Sequence, residues 1–421
     1  MCPAELSSCR LHPLEGLKRE SLRITDVKVT LLSHQLKRED QWADGDANVV
    51  IVNTCTVAVE VFTDAGLVGL GGCSRYSGPE RVKQYVEEVI RPFLIGKNPF
   101  DVEHLSAGLA GGRGRAAWNG VDVALWDLIG KAVGQPLYRL LATDADAITR
   151  LPVYASGGEF SWRRDSHFDG PESLAEKARR HQADGYAAFK FRMGGGFGAL
   201  GITVEDYIPY LYQIREAVGP DFGLIQEANC RWTVEQCLQI CPVLEELGFL
   251  WFEEPTSKRG DEAIDNYLKI KRALPTVMVS GGEGRRNRAE LMEWVDRGAY
   301  DIVQHGADDA GLTEAWHMAR MAHERGARFC AHNWQGGLVT IANAHLMAAC
   351  PNRFLLESNM TPNPLKEGLF VEDLRVRDGF LDLPAGPGLG VELREGLAEE
   401  FPYIPDPWNV PDAGMPGACS S

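Results

Sequence analysis

The chain lacks any apolar run approaching the roughly 20 residues that cross a bilayer, and its hydrophobic fraction of 44% is ordinary for a globular protein. It lacks a basic excess as well. Lys and Arg number 43 against 59 Asp and Glu, a net charge of −16. That balance argues against a nucleic-acid surface, favours solubility, and means that an anionic substrate needs a local cation. None of the ten cysteines forms a CxxC pair, and Cys237 and Cys241 stand one helical turn apart. Buried, reduced thiols in a cytoplasmic protein are therefore expected in place of a disulfide framework. The opening MCPAELSSCRLHPLEGLKRE has no apolar centre flanked by basic residues, so it does not read as a secretion signal.

What is present is room for a large barrel and a second domain in 421 residues. After an extension at 1–21, residues 22–148 read as mixed α+β. RITDVKVTLLS and NTCTVAVEVFTDAG alternate like antiparallel strands, and PERVKQYVEEVIRPFLIG and NGVDVALWDLIGKAVGQPLYRLL carry helical periodicity. Residues 149–384 alternate between short apolar strands and amphipathic helices. The strands lie near LPVYAS, AAFKFR, FGLIQE, FLWFE, VMVSGG, DIVQ, RFCAH and RFLLE. Eight βα units imply parallel strands with right-handed crossovers, closing into a barrel whose chemistry lies at the strand carboxyl ends. The Pro- and Gly-rich tail, 385–421, is expected to pack back on the first domain.

Three carboxylates close three successive strands: Glu227 ends FGLIQE, Glu253 ends FLWFE, and Glu283 ends VMVSGGE. Carboxylates gathered on one rim repel unless a cation or shared proton compensates. Oxygen ligands that leave room for water and substrate suit Mg2+. In the EEP segment, alternation puts Glu253 on the face of Trp251 and Glu254 on the other, making Glu253 the expected ligand and Glu254 a partner of a neighbouring strand end. Lys190 and Arg192, two apart, both face the interior, where an anionic substrate beside a metal compensates them. His332 ends RFCAH on the rim opposite the Lys190 strand and is the expected general acid/base. Glu357 ends the last strand and is expected to hydrogen-bond the substrate. Asn229, Glu254, His305, Asp308 and Asp309 are accessory candidates. The loops His34–Ala47 and Cys73–Gly78 are expected to set substrate choice through Trp42, Arg75 and Tyr76.

Several stretches, taken in order, resemble one family: VDVALWDLIGKAVGQPLYRLL, KFR, EAN, WFEEP, SGGE, AGLTEA, AHNWQGG and DGFLDLPAGPGLGVEL. From about residue 22 to 395 the chain resembles the enolase superfamily, in its mandelate racemase subgroup. The resemblance implies an α/β fold: a modified (β/α)8 TIM-type barrel under an α+β capping domain that the C-terminal segment completes. It implies Mg2+ on Glu227, Glu253 and Glu283, a homo-oligomer from dimer to octamer, and removal of the proton beside a carboxylate of a small hydroxy or sugar acid. A Lys or His base working with Mg2+ is the general pattern of this superfamily. On that pattern Lys190 serves one face, its pKa lowered by Arg192 and metal charge, and His332 the other. Glu357 is implied to act as a protonated-like donor or electrophilic partner to the substrate. Loss of a 3-hydroxyl assisted by His332 gives a 2-keto-3-deoxy acid, the favoured outcome. Racemisation or epimerisation, cycloisomerisation, and a non-catalytic acid-binding homologue stay open.

The chain also departs from the family pattern. Glu227 stands where Asp is usual, and Arg192 replaces the second Lys and cannot act as a base. In DIVQHGADDAGLTE, one residue short, His305 and Gly306 occupy the place of the Asp that normally pairs with the histidine. Asp308 and Asp309 are left as candidate partners. A rival from another class is an NAD(P)-dependent oxidoreductase, since Gly196, Gly198 and Gly201 form a literal GxGxxG after a strand. Against it, Thr203 is the better cap for the following helix.

Overall fold

A computed structural model describes residues 10–37, 40–43, 49–73, 78–109, 114–143, 147–160, 171–193, 196–285, 287–334, 336–405 and 409–411. The first part of the chain holds β1 (Ile24–Gln35), β2 (Trp42–Ala43), β3 (Val49–Ile51), β4 (Asn53–Thr63) and β5 (Val68–Cys73). β1, β4 and β5 pair antiparallel in that order, with Gly66 at φ 77° supplying the turn between β4 and β5. The helix Arg115–Val133 lies directly on this sheet. Glycine permits the approach, because a Cβ at Gly71 would stand 1.9 Å from the carbonyl oxygen of Gly120. The helix stops at Gly134, whose left-handed φ of 67° sends its N–H back to the last turn.

Eight parallel strands follow: β6 (Arg150–Phe160), β7 (Ala188–Met193), β8 (Gly223–Glu227), β9 (Trp251–Glu253), β10 (Met278–Gly281), β11 (Ile302–Val303), β12 (Arg328–Phe329) and β13 (Leu356–Asn359). Each pairs with the next from β6 to β12, and β13 pairs with β6. A parallel bridge between Phe329 and Arg353, just before β13, closes the ring. Two-residue alternation sorts the side chains. Tyr154, Ala188, Ile225, Trp251, Ile302, Cys330 and Leu355 pack together inside the barrel. Phe189, Phe191 and Phe252 belong to the main apolar core with the surrounding helices. Two residues beyond the inner layer, toward the strand ends, stand Ser156, Lys190, Glu227, Glu253, Gln304, His332 and Glu357. Along these strands the inward layer changes from apolar to polar or charged within one step.

β14 (Phe380–Asp382) adds antiparallel to β6, and β15 (Asn409–Pro411) adds antiparallel to β3. The C-terminal segment does return to the cap: Leu389 N–H donates to Asp127 Oδ1 at 2.7 Å, and Ser33 N–H to the Phe401 carbonyl at 3.3 Å. Leu36 and Ile51 of the cap pack on Trp334, at the barrel mouth. The segment Gly196–Leu200 forms a short helix of its own, and Thr203 caps the helix Val204–Val218 with a reciprocal Asp206 bond. That arrangement does not offer a glycine-rich turn to a pyrophosphate. The seven described cysteines are free, and all but Cys230 are buried. Among the described residues no helix is long and apolar enough to cross a membrane.

Candidate active site at the barrel mouth

A cavity of about 230 Å³ opens at the carboxyl ends of the strands, lined by Lys190, Arg192, Glu227, Asn229, Glu283, Asp308, Asp309, His332, Trp334 and Glu357. Beneath it, Lys190 lies among three carboxylates. Its Nζ bonds to Glu253, stands 2.9 Å from Glu357 Oε1 and 3.4 Å from Glu227 Oε2. All four side chains are buried. One ammonium shared unequally by three acids leaves the farthest undercompensated. Burial pushes the Glu227 carboxyl up to about 8, Lys190 pulls it down, and Glu253 adds to the rise.

Glu357 is the opposite case. Burial would raise it, but Lys190 and His332, with a bond from Ser156, hold it at about 2. Ser156 Oγ donates to Oε1 and the Asn333 N–H to Oε2, both at 2.7 Å. Glu357 is thus an ionised acceptor here, and the protonated-like donor implied by resemblance is corrected: its neighbours are donors and a cation. At Lys190 the carboxylates act against the depression implied by Arg192 and metal charge. Burial does lower its pKa, but Glu227, Glu253 and Glu357 together raise it well above the usual lysine value.

Glu253 faces inward, as alternation requires, accepting from Trp251 Nε1 at 3.0 Å and Gln304 Nε2 at 2.8 Å. Glu254 turns away at a left-handed φ of 40° and bonds Lys258 and the thiol of Cys230. Asn229 donates its amide to Glu227. Arg192 stacks its guanidinium 4.8 Å from the Trp334 ring centre.

Glu283, half-buried, pairs its Oε2 with His332 Nε2 at 3.1 Å, and Asp308 Oδ2 lies 3.4 Å from His332 Nδ1. Burial lowers the imidazole pKa, but Glu283 and Asp308 carry it well above the ordinary value. Asp309 is occupied elsewhere, accepting the backbone N–H of Gly284 at 3.2 Å and of Gly306 at 3.4 Å. His305 does not join the cavity. It is fully buried, with Nε2 3.1 Å from the Arg285 carbonyl oxygen, because alternation from Ile302 sends Gln304 inward and His305 outward. Gln304, Ser156 and Asn333 were not anticipated. The same alternation identifies Gln304 and Ser156, whereas Asn333 meets the Glu357 carboxylate through its backbone N–H, which leaves no side-chain pattern. Arg75 and Tyr76 lie outside the described residues, as does the side chain of Trp42, which begins β2.

Two groups at the mouth could hold a cation. Asp308, Asp309 and His332 bring ligand atoms within 4.8 Å of one another, but that set includes an imidazole already facing Asp308. Glu227, Glu253 and Glu283 offer oxygen alone, the donor type a hard cation takes, with Glu253 now bonded to Lys190 and Glu283 paired with His332. By donor type the glutamate set suits Mg2+.

Comparison with known proteins agrees with this architecture. Residues 173–397 match the family described as enolase C-terminal domain-like, and residues 47–142 match the N-terminal domain of mandelate racemase / muconate lactonizing enzyme. The chain belongs to the enolase superfamily, in its mandelate racemase/muconate lactonizing enzyme family. It is 31% identical over 403 residues to a D-galactarolactone cycloisomerase of Agrobacterium fabrum, covering 92% of this chain and 100% of the relative. It is 30% identical over 354 residues to an arabinonate dehydratase of Saccharolobus solfataricus, covering 82% and 90%. A crystal structure of an enolase superfamily member from Polaromonas sp. superposes with a TM-score of 0.78 at 27% identity, covering 91% of this chain and 99% of that one.

Proposed function

We propose that the protein is a Mg2+-dependent hydro-lyase that removes the proton alpha to the carboxylate of a small sugar acid and expels the 3-hydroxyl as water, leaving a 2-keto-3-deoxy acid. The observation that carries this reading is the placement of Lys190 and His332, from β7 and the end of β12, on one charged cavity with Glu357. The similarity to an arabinonate dehydratase supports it.

Glu227, Glu253 and Glu283 would hold the ion, which when bound supplies positive charge to the substrate carboxylate and to the enediolate derived from it. Lys190, as the neutral amine, takes the C2 proton, and it becomes a base only when Glu227 and Glu253 are engaged elsewhere. The electrons left at C2 form the C2–C3 double bond as the C3–O bond breaks. His332 Nε2 protonates the departing oxygen, so water leaves, and the resulting enol tautomerises to the ketone. No net oxidation occurs. Asp308, facing Nδ1, stabilises the imidazolium, the state in which Nε2 carries a proton to give. Arg192, always charged, draws the acid to the mouth, and Glu357 keeps Lys190 in place.

Cycloisomerisation is the second reading, favoured by the D-galactarolactone cycloisomerase that the chain matches over its whole length. Proton NMR of a panel of aldonic and aldaric acids and their lactones, in D2O with Mg2+, separates the two. A 3-deoxy methylene signal with a new ketone establishes elimination. Ring-opened or rearranged product with no 3-deoxy signal on any aldonate overturns it in favour of cycloisomerisation.

A further inference from the structure

The turn that brings Asp308 to His332 is not held by its own helix. The segment Ala307–Glu324 is broken at Gly311, whose φ of 78° and ψ of 168° are not helical. Residues 307–310 form a separate turn carrying Asp308, and the regular helix begins again after Gly311. Its new N-terminus is capped from another part of the chain. Asp122, on the cap helix Arg115–Val133, accepts the Thr313 N–H at 2.8 Å and the Thr313 hydroxyl at 2.6 Å. An aspartate normally caps its own helix; this one reaches across from the cap.

Two further contacts fix the turn. Asn119, one turn earlier on the cap helix, donates its amide to the Asp308 carbonyl. Asn343, on the helix Gly337–Ala349, accepts the Ala307 N–H and donates to the His332 carbonyl, both at 2.8 Å. One amide thus spans the two backbones whose side chains must meet. Asn119, Asp122 and Asn343 are each 0–1% exposed, and none lines the cavity. Space is also tight, since a Cβ on Gly311 would stand 2.9 Å from Asp122 Oδ2.

We propose that Asn119, Asp122 and Asn343 are positioning residues that clamp the Asp308 turn against His332, making the seating of the cap helix a condition for the Asp308–His332 pair. The consequence for turnover rests on the reaction proposed above; the clamp itself does not. Asp122 keeps its other bonds inside the cap, accepting from Ser106 Oγ at 2.5 Å. The clamp therefore transmits the position of the cap helix to the barrel turn.

The test uses the full chain with 15N-labelled histidine, with His332→Asn to assign the His332 signals. The variants are Asp122→Ala, Asp122→Asn and Asn119→Ala. The ring 15N shifts report which nitrogen carries the proton, with no substrate present. The expected result is a changed His332 pattern in Asp122→Ala and Asn119→Ala and a near-native one in Asp122→Asn, whose amide oxygen can still accept the Thr313 N–H. On any substrate turned over, kcat in the first two falls by about tenfold or more while KM stays within about twofold, as expected for a misplaced group. Native His332 shifts in folded Asp122→Ala and Asn119→Ala overturn the clamp, as does unchanged kcat. Altered shifts together with a wild-type protein that eliminates no water keep the clamp and overturn the reaction. Should Asp122→Ala fail to fold, Asn119→Ala decides alone.

Discussion

Asp308 Oδ2 stands 3.4 Å from His332 Nδ1, reaching the histidine from beyond the strand end, where the family pattern would place its partner. The separation is that of a charge pair more than a formed hydrogen bond, and catalytic contacts often tighten only when substrate binds. Asp308→Asn keeps the shape and removes the charge. It is expected to lower kcat by about 10²- to 10⁴-fold, the usual worth of a positioned acid or base, with little change in KM. Unchanged kcat in steady-state kinetics would remove Asp308 from the mechanism.

Gly306 is packed between the same two residues. A Cβ there would come within 2.6 Å of both Asp308 Oδ1 and the His332 carbonyl. Gly306→Ala is expected to cost about 1–3 kcal/mol through overpacking and to depress activity further than the loss of folded protein explains. Urea titration beside kinetics checks both parts.

Lys190 compensates three buried carboxylates. Lys190→Ala is expected to destabilise the metal-free protein by about 3–5 kcal/mol, the cost of stranding buried charge. Mg2+ should stabilise wild type by about 2.7 kcal/mol at one hundred times its dissociation constant, and should stabilise the variant by more. Thermal melts with Mg2+ and with EDTA measure this; equal shifts in the two proteins count against a shared glutamate site.

Away from the site, His345 is fully buried, accepts the Tyr138 N–H on Nδ1 and lies 3.0 Å from the Leu389 carbonyl through Nε2. Both ring nitrogens are used by the neutral form. Burial holds its pKa at about 4, below the usual 6.5. A depressed folded pKa gives stability that is present above pH 6.5 and lost as pH falls toward 4, up to about 3 kcal/mol. His345→Gln can keep both bonds without titrating. Its unfolding free energy should fall less than that of wild type between pH 7.5 and 4.5.

The sequence-level reading reached the eight strands because each is a short apolar run followed by a polar strand end. It separated Glu253 from Glu254 because two-residue alternation survives even in a three-residue strand. The same rule, applied to DIVQ, would have excluded His305 and found Gln304. The partner of His332 could not be read, because it depends on a helix break at Gly311 and on cap residues some 190 positions away in the chain. The charge states of Lys190 and Glu357 were hidden for a related reason: they follow from barrel closure, which brings β13 back beside β6 and Glu357 within reach of Lys190. Spacing along the chain carries no record of that closure.

The central claim is that Lys190 removes the C2 proton and His332 acts after it on the leaving oxygen. The most direct measurement is deuterium exchange at C2 in D2O, by proton NMR, on a substrate that wild type dehydrates, using His332→Asn and Lys190→Met. The account predicts that His332→Asn still exchanges the C2 proton while elimination stops, and that Lys190→Met does neither. Exchange that persists in Lys190→Met and vanishes in His332→Asn would contradict it, making His332 the base.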